Sequence, residues 1–534
     1  RDAAPPRHPY ATPLLRAGDG DVRWDDDFDV VIVGMGAAGC AAALEATGAG
    51  ARVLVVDRFQ GGGATARSGG IVYIGGGSVQ QKLAGYEDTP EDMYGYLRSE
   101  LGDAIPEATL RDFCEESLDN LAFLENMGVP FPPRGEAPKT SYPPDDCTLY
   151  FSGNELCPPH SSAARVAPRG HRVLGRGLTG NVLFRHLGAA VEASPAEIRR
   201  HSRTTRLVVD DDGKVLGVEV SCIDGDRARR IHGWLDRTIG YGAMLGGGIV
   251  RRARALLQRL EQGRSVTRRI RARRGVILSA GGFVFNSAMM RNFAPDYAGC
   301  MPLGTSGDDG SGIALGHGAG GALGHMSRAT AWRFINPPVA LTHGVLVDSV
   351  GRRICNEELY GASLGERITE DCDGRAWLVI DGATWSRVFA EIRVSRKANF
   401  QNVTALLGLF VTRERGEGIE ALARNARMSP TVLRATLDEY NERCDQGLHD
   451  DLGKSDDAFL PQTEPPGRRP EAALAQELKG SLVPPEVVGP GRKTFDGVHD
   501  QVDTVDGLAR GSQEVRRDTL RSLLGYGREL AECD

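Results

Sequence analysis

Residues 29–58 read DVVIVGMGAAGCAAALEATGAGARVLVVDR. The apolar run Val30–Gly34 has the length and β-branched character of a strand buried on both faces. Gly34, Gly36 and Gly39 follow at the spacing G-x-G-x-x-G, a small-residue helix is expected over Ala37–Thr47, and a second apolar strand, Arg52–Val56, ends on Asp57. The first glycine admits a tight turn. The second lets the backbone N–H groups around Ala37 and Ala38 approach a pyrophosphate, and the third lets helix and strand pack closely. A helix N-terminus favours the anion, and Asp57, with Arg58 beside it, stands where a carboxylate accepts from a ribose hydroxyl. The stretch reads as a dinucleotide site on a Rossmann-like α/β unit.

The rest of the chain limits what that site can serve. At 534 residues it exceeds a single core, and two to four domains are expected. A formal net charge of -7 argues against nucleic acid as the main partner. Ten cysteines without C-x-x-C pairs indicate neither a disulfide framework nor a zinc site, and suit a reduced, cytoplasmic compartment. No metal is expected, because His317 and His325 have no third ligand at metal spacing. No apolar run approaches the roughly 18–20 residues that span a bilayer. Residues 1–27 read as an arm, with no apolar core of a secretory signal in Arg1–Trp24.

Beyond the first unit, GGGATARSGGIVYIGGG (61–77) suits backbone passing close to a ligand, with an ordered strand at Ile71–Ile74. Ala84–Glu125 reads as helical scaffold. The Pro-rich stretch 128–170 is loop-like, and its TSYPPDDCTLYFSGNE (140–155) carries Tyr142 and Tyr150. Arg169, His171, Arg172 and Arg176 converge on a Gly-rich turn, facing either an anion or the cofactor, or else forming solvated basic surface. RLVVDDDGKVLGVEV (206–220) reads as a β-hairpin turning at Asp211–Gly213. Residues 227–274 hold fourteen arginines and two acids, Asp236 and Glu261, around an apolar stretch with Trp234 and Tyr241. That segment reads either as peripheral contact with an anionic membrane or as a solvated basic excursion.

Taken in order, these motifs resemble the flavin-dependent fumarate reductase and 3-ketosteroid dehydrogenase superfamily, and most of all its Δ1-dehydrogenases. The residues that carry the resemblance are Gly34/Gly36/Gly39 with Asp57, the loop Thr65/Ser68/Gly69/Gly70, the strand end Ala280–Phe283 with Gly281, and the helix start Gly307–Ile313 with Asp309. The resemblance implies FAD, held by a Rossmann-like FAD-binding domain over residues 28–326. It also implies an α+β capping domain inserted over 327–465 and a return to the first domain over 466–534.

Fumarate-reducing members follow an N-E pair with R-D. Here RRICNEELYGASLGER keeps Asn356 and Glu357 but places Tyr360 where that arginine would lie. The ketosteroid dehydrogenases place a tyrosine there as base, with a second tyrosine in a loop of the first domain. Tyr360 therefore resembles the base, and either Tyr150 or Tyr142 its partner. A C–H beside a ketone is only weakly acidic, so its loss needs a polarised carbonyl and a base whose pKa is lowered or relayed. Trp332, Phe334, Pro337 and Pro338 offer apolar surface for a rigid polycyclic substrate. The tail, 466–534, is charged and lacks the family's closing pattern; only GYGRELAEC (525–533) echoes it, with Tyr526 as the residue that would polarise the ketone. The expected activity is 1,2-desaturation of a 3-ketosteroid, with an external electron acceptor. The alternatives are 4,5-desaturation, reduction of an enoic acid, or a redox-inactive flavoprotein.

Overall fold

The computed structural model describes residues 10–16, 22–137, 139–241, 247–394, 413–462 and 473–479. Its central sheet has seven strands in the order Leu15–Arg16, Ser202–Val209, Val215–Ile223, Ser265–Leu278, Asp26–Val33, Val53–Val56, Glu197–Arg199. Asp26–Val33 is parallel to both Val53–Val56 and Ser265–Leu278, which is the Rossmann arrangement expected of 29–58. Alternate residues of this strand serve different cores. Ile32 packs with Val53, Val55, Ala43 and Leu187, whereas Val31 and Val33 pack with Leu54, Val56, Val220 and Ile270. Burial on both faces is why the strand is a continuous apolar run, and each such side chain contributes about 1.5–3 kcal/mol.

The expected hairpin is present as Ser202–Val209 paired antiparallel with Val215–Ile223, turning through Gly213 at φ +82°. The basic segment 227–274 divides in two. Asp226–Tyr241 and Gly247–Gly263 are helices whose Leu235, Ile239, Ala253 and Leu257 close over Phe59. The remainder enters the central sheet as Ser265–Leu278, where Ile270 and Ala272 point inward while Arg271 and Arg273 stay exposed. Five of the fourteen arginines thus lie on a strand, four of them exposed to solvent.

The Pro-rich stretch 128–170, expected to be loop, supplies two short strands of a second sheet, ordered Ile71–Tyr73, Gly170–Arg172, Leu149–Tyr150, Glu136–Ala137. A third, antiparallel sheet joins Val345–Val347, Arg375–Ile380, Ala473–Lys479 and Arg413–Gly416. Helices Ile419–Asn425 and Pro430–Asp445 cover one side of it through Leu422, Leu433 and Leu437. The boundary expected at 465 needs correction, because Ala473–Lys479 pairs along its length with Arg375–Ile380 and so belongs to this sheet rather than to a return. Among the described residues no helix is long and apolar enough to cross a membrane.

Candidate active site

The three glycines of the nucleotide loop are not equivalent. A Cβ on Gly34, at φ +103°, would lie 2.4 Å from the Ser279 carbonyl oxygen, and one on Gly39 would lie 2.0 Å from that of Gly34. Both are glycine because the protein's own backbone fills the space. A Cβ on Gly36 would meet nothing nearer than Thr65 Oγ1 at 3.6 Å, and its φ of -86° suits any residue. Glycine at 36 therefore leaves room for something other than protein, as a dinucleotide requires. The N-cap of helix Ala37–Gly48 is Gly36, which has no side chain to cap it. Ala37 N donates to Thr65 Oγ1 at 3.0 Å, so the amides of Ala38 and Gly39 are left for an anion.

Asp57 ends its strand as expected, but its carboxylate also ties the loop together. Oδ2 accepts from Met35 N at 2.8 Å, while Oδ1 accepts from Phe59 N at 2.7 Å and Gly61 N at 3.3 Å. Oδ2 keeps a lone pair for a ribose hydroxyl. The second loop is equally tight. Ser68 Oγ donates to Thr65 O and accepts from Gly70 N, and a Cβ on Gly70 would lie 2.5 Å from Thr179. The Ala280–Gly281 turn closes on Asp308, whose Oδ1 would be 2.3 Å from a Cβ on Gly281. These residues fit a FAD: Gly36 leaves room where a pyrophosphate would approach, and Asp57 would accept from a ribose hydroxyl.

Arg58 and Asp309, expected to hold the cofactor, are joined to each other at 2.8 Å. Arg58 also forks onto Glu261, at 2.7 and 3.0 Å. His232 bonds Glu261 at 3.1 Å and His201 at 3.0 Å. Burial alone would raise the Glu261 carboxyl, but its bonds to His232 and Arg58 outweigh that and hold it down at about 2. Glu261 and the histidines were not anticipated. The signal in the sequence was that Asp236 and Glu261 are the only acids among the fourteen arginines of 227–274, and both turn inward, with Asp236 accepting from Ser306 Oγ at 2.9 Å.

The two candidate tyrosines of the Pro-rich stretch separate clearly. The Tyr142 hydroxyl lies 2.8 Å from the carbonyls of both Gly69 and Gly177 and accepts from Arg172 Nε at 3.0 Å, which commits it to holding loops together. Tyr150 is buried on its strand opposite Gly170, where a Cβ would lie 2.8 Å from the Tyr150 ring. Burial raises its hydroxyl pKa, and Tyr360, Glu155 and Tyr142 raise it further. Tyr360 precedes the helix Gly361–Glu366, and its N–H donates to Asn154 Oδ1 at 2.6 Å. Asn154 Nδ2 binds Glu100 and Ser363, both at 2.9 Å, so one side chain fixes the approach of the third sheet's residues to the second. Burial also raises the Tyr360 hydroxyl, with Glu155 and Glu100 adding to it. Tyr360 and the buried Glu155 thus lie within electrostatic reach of Tyr150, and Trp332 flanks Tyr360 and Phe334 at ring-centroid distances of 5.3 and 5.5 Å. A lowered tyrosine pKa, one of the two expected routes to a base, is absent here. Tyr526 lies outside the described residues.

The basic cluster near 170 is a correction. Arg169 is fully buried and paired with Asp88 at 2.7 Å, and Arg172 binds the carbonyls of Gly175 and Gly177. His171 lies against Ser78, and burial lowers its pKa to about 4. Only Arg176 is exposed. The N-E pair is structural as well. Glu357 binds Arg353 at 2.8 Å and Lys454 at 3.2 Å, Asp450 completes the buried quartet, and Asn356 binds Gly453 O at 2.8 Å. Nine described cysteines are free, and no group of three or more His, Cys, Asp or Glu among the described residues could hold a metal.

A sequence profile of the family described as FAD binding domain matches residues 29–499. The chain is 36% identical over 457 residues to a 3-oxo-5-alpha-steroid 4-dehydrogenase of Comamonas testosteroni, covering 83% of this chain and 84% of that one. It is 24% identical to a 3-oxosteroid 1-dehydrogenase of Mycolicibacterium smegmatis, covering 89% and 88%. A solved 3-ketosteroid-delta4-(5alpha)-dehydrogenase of Rhodococcus jostii, in complex with 4-androstene-3,17-dione, is similar at a TM-score of 0.71 and 29% identity, covering 88% of this chain and 86% of that one. The chain belongs to the FAD-binding family that contains the ketosteroid dehydrogenases and the flavin-dependent fumarate reductases.

Proposed function

We propose that the chain is a FAD-dependent dehydrogenase of 3-ketosteroids, acting across C4–C5 of a 5α-saturated ring. The observation that carries the chemistry is that Tyr150, Tyr360 and the buried Glu155 lie within electrostatic reach of one another, with the Trp332–Phe334 surface against Tyr360. The regiochemistry rests on the 36% identical relative, a 4-dehydrogenase, and departs from the 1,2-desaturation expected of the sequence. The 1,2 reading keeps the support of the 24% identical relative. The third sheet with its helices acts as the cap, held by Asn154 and by Asn336, whose Nδ2 donates to Lys139 O at 2.8 Å.

Bound FAD supplies the hydride acceptor. The protein's part is the proton. The carbon next to the ketone loses it to the Tyr360 oxygen, and the hydroxyl proton of Tyr360 passes on toward Tyr150 and Glu155. Burial raises the Glu155 carboxyl, which makes it the better final acceptor. A relay of this kind avoids a free phenolate, which burial disfavours at both tyrosines. Tyr526 is the candidate for polarising the ketone.

The test is rapid mixing of oxidised enzyme with steroid for Tyr360→Phe and Tyr150→Phe. Both variants should keep FAD, and flavin reduction should slow by about 10²–10⁴-fold, the range for a lost general base. Reduction at the parent rate in either variant would remove that tyrosine from the mechanism.

A further inference from the structure

The helical hairpin of Asp226–Tyr241 and Gly247–Gly263 has an outer face that the nucleotide loop and the tyrosines leave unused. Its inner side is fully committed. Leu235, Ile239, Ala253 and Leu257 pack on Phe59, Glu261 serves Arg58 and His232, Asp236 serves Ser306, and Arg254 lies over the Phe285 ring. The outer side is different in kind. Arg227, Arg230, Ile231, Trp234 and Arg237 form one exposed stripe of the first helix, at i, i+3, i+4, i+7 and i+10. Ile249, Arg252, Leu256 and Arg259 form the matching stripe of the second.

The apolar members of these stripes are well out in solvent, at 41% for Ile231, 57% for Trp234, 50% for Ile249 and 51% for Leu256. Between residues 226 and 263 there are eight arginines and three acids, in a chain whose formal net charge is -7. With Glu261 and Asp236 turned inward, Asp226 is the acid left on the outside, 3.4 Å from Arg229.

We propose that this outer face docks on an anionic lipid surface. Large exposed apolar groups interspersed with arginines on both helices match the two halves of that surface, with the acyl boundary taking Trp234 and the aliphatics while the phosphates take the guanidinium groups. Arginine stems lie along the apolar stripe while their heads reach outward. A second copy of the chain fits less well, because a two-fold contact would set arginine against arginine. A nucleic acid would match the charge and leave the four apolar side chains unused.

The experiment is flotation of the full FAD-loaded chain with phosphatidylcholine vesicles, with and without phosphatidylserine, at low and high salt. Partition should require phosphatidylserine and fall as salt rises. Arg230→Gln, Arg252→Gln and Arg259→Gln should each lower it by about fivefold, and the double variant Trp234→Ser/Leu256→Ser should weaken it even at low salt. All these side chains are exposed, so circular dichroism and flavin content should match the parent. Equal partition onto both vesicle types, or variants that partition like the parent, would overturn the proposal. So would a lipid-free dimer abolished by the double variant, which assigns the face to a second copy. Duplex DNA that binds the same face and displaces the vesicles would assign it to another polyanion.

Discussion

Replacing Gly36 with alanine should separate what the fold needs from what the cofactor needs. A methyl at 36 has 3.6 Å to Thr65 Oγ1 and no other neighbour within 4 Å, and the backbone there is unstrained for alanine. The apoprotein should therefore be as stable as the parent, or more stable by about 0.4–1 kcal/mol through a stiffer unfolded chain. The same methyl occupies the approach of the pyrophosphate to the amide of Ala38. A hydrogen bond from an amide to a charged group is worth about 1.5–3 kcal/mol, so losing one weakens FAD by about ten- to a hundredfold. Gly39→Ala is the control, since its methyl would lie 2.0 Å from Gly34 O and should lower the melting temperature of the apoprotein itself. Fluorescence titration of stripped protein with FAD and thermal melts of the three apoproteins read both quantities. Parent-like FAD affinity in Gly36→Ala, or a Gly36→Ala melt as low as that of Gly39→Ala, would refute the reasoning.

Tyr142→Phe should lower stability by about 1–3 kcal/mol, because Arg172 Nε loses its acceptor and the hydroxyl no longer donates to the Gly69 or Gly177 carbonyl, while the folded fraction keeps its steroid turnover. Urea melts beside turnover assays check this, and unchanged stability with lost turnover would make Tyr142 the catalytic tyrosine after all. Acid should destabilise the fold through His171 and His201, both held down to about 4, chiefly by burial and in His201 also by His232. Each is neutral in the fold but takes a proton in the unfolded chain below its ordinary value of about 6.5. Their contribution is full above that value and is lost as the pH falls toward 4, at about 1.4 kcal/mol per pH unit for each. Urea stability measured across that window should show the slope, His201→Gln should flatten it, and a level parent profile would contradict the assignment.

Local chemistry made the nucleotide loop legible. Strand, glycines, helix and Asp57 lie within thirty residues, and each is needed for a reason visible in its neighbours. The hairpin at 211–213 was legible for the same reason, as alternating apolar residues around a Gly turn. Partners from far along the chain were not. Arg58 looked like a cofactor ligand because it follows Asp57, whereas Glu261 and Asp309, more than two hundred residues away, take its guanidinium. Tyr142 and Tyr150 share one Pro-rich stretch, and only contacts made in the fold, with Gly69, Gly177 and Arg172 for Tyr142, tell them apart. The basic run at 169–172 reads as a ligand-facing or solvated cluster, yet the strand Gly170–Arg172 lies between two others and buried Arg169 pairs with Asp88. The strand Ala473–Lys479 was not legible in the charged tail, because ALAQELK carries little β-branched or aromatic character to mark it as a strand.

The most direct test of the proposed activity is an anaerobic titration of the FAD-loaded protein with a 5α-saturated 3-ketosteroid, following the oxidised flavin band and identifying the product. The proposal predicts stoichiometric bleaching and a 4-en-3-one. Bleaching with a 1-en-3-one as product would contradict the regiochemistry, and a flavin that ignores the steroid while chemical reductant bleaches it would contradict the substrate class itself.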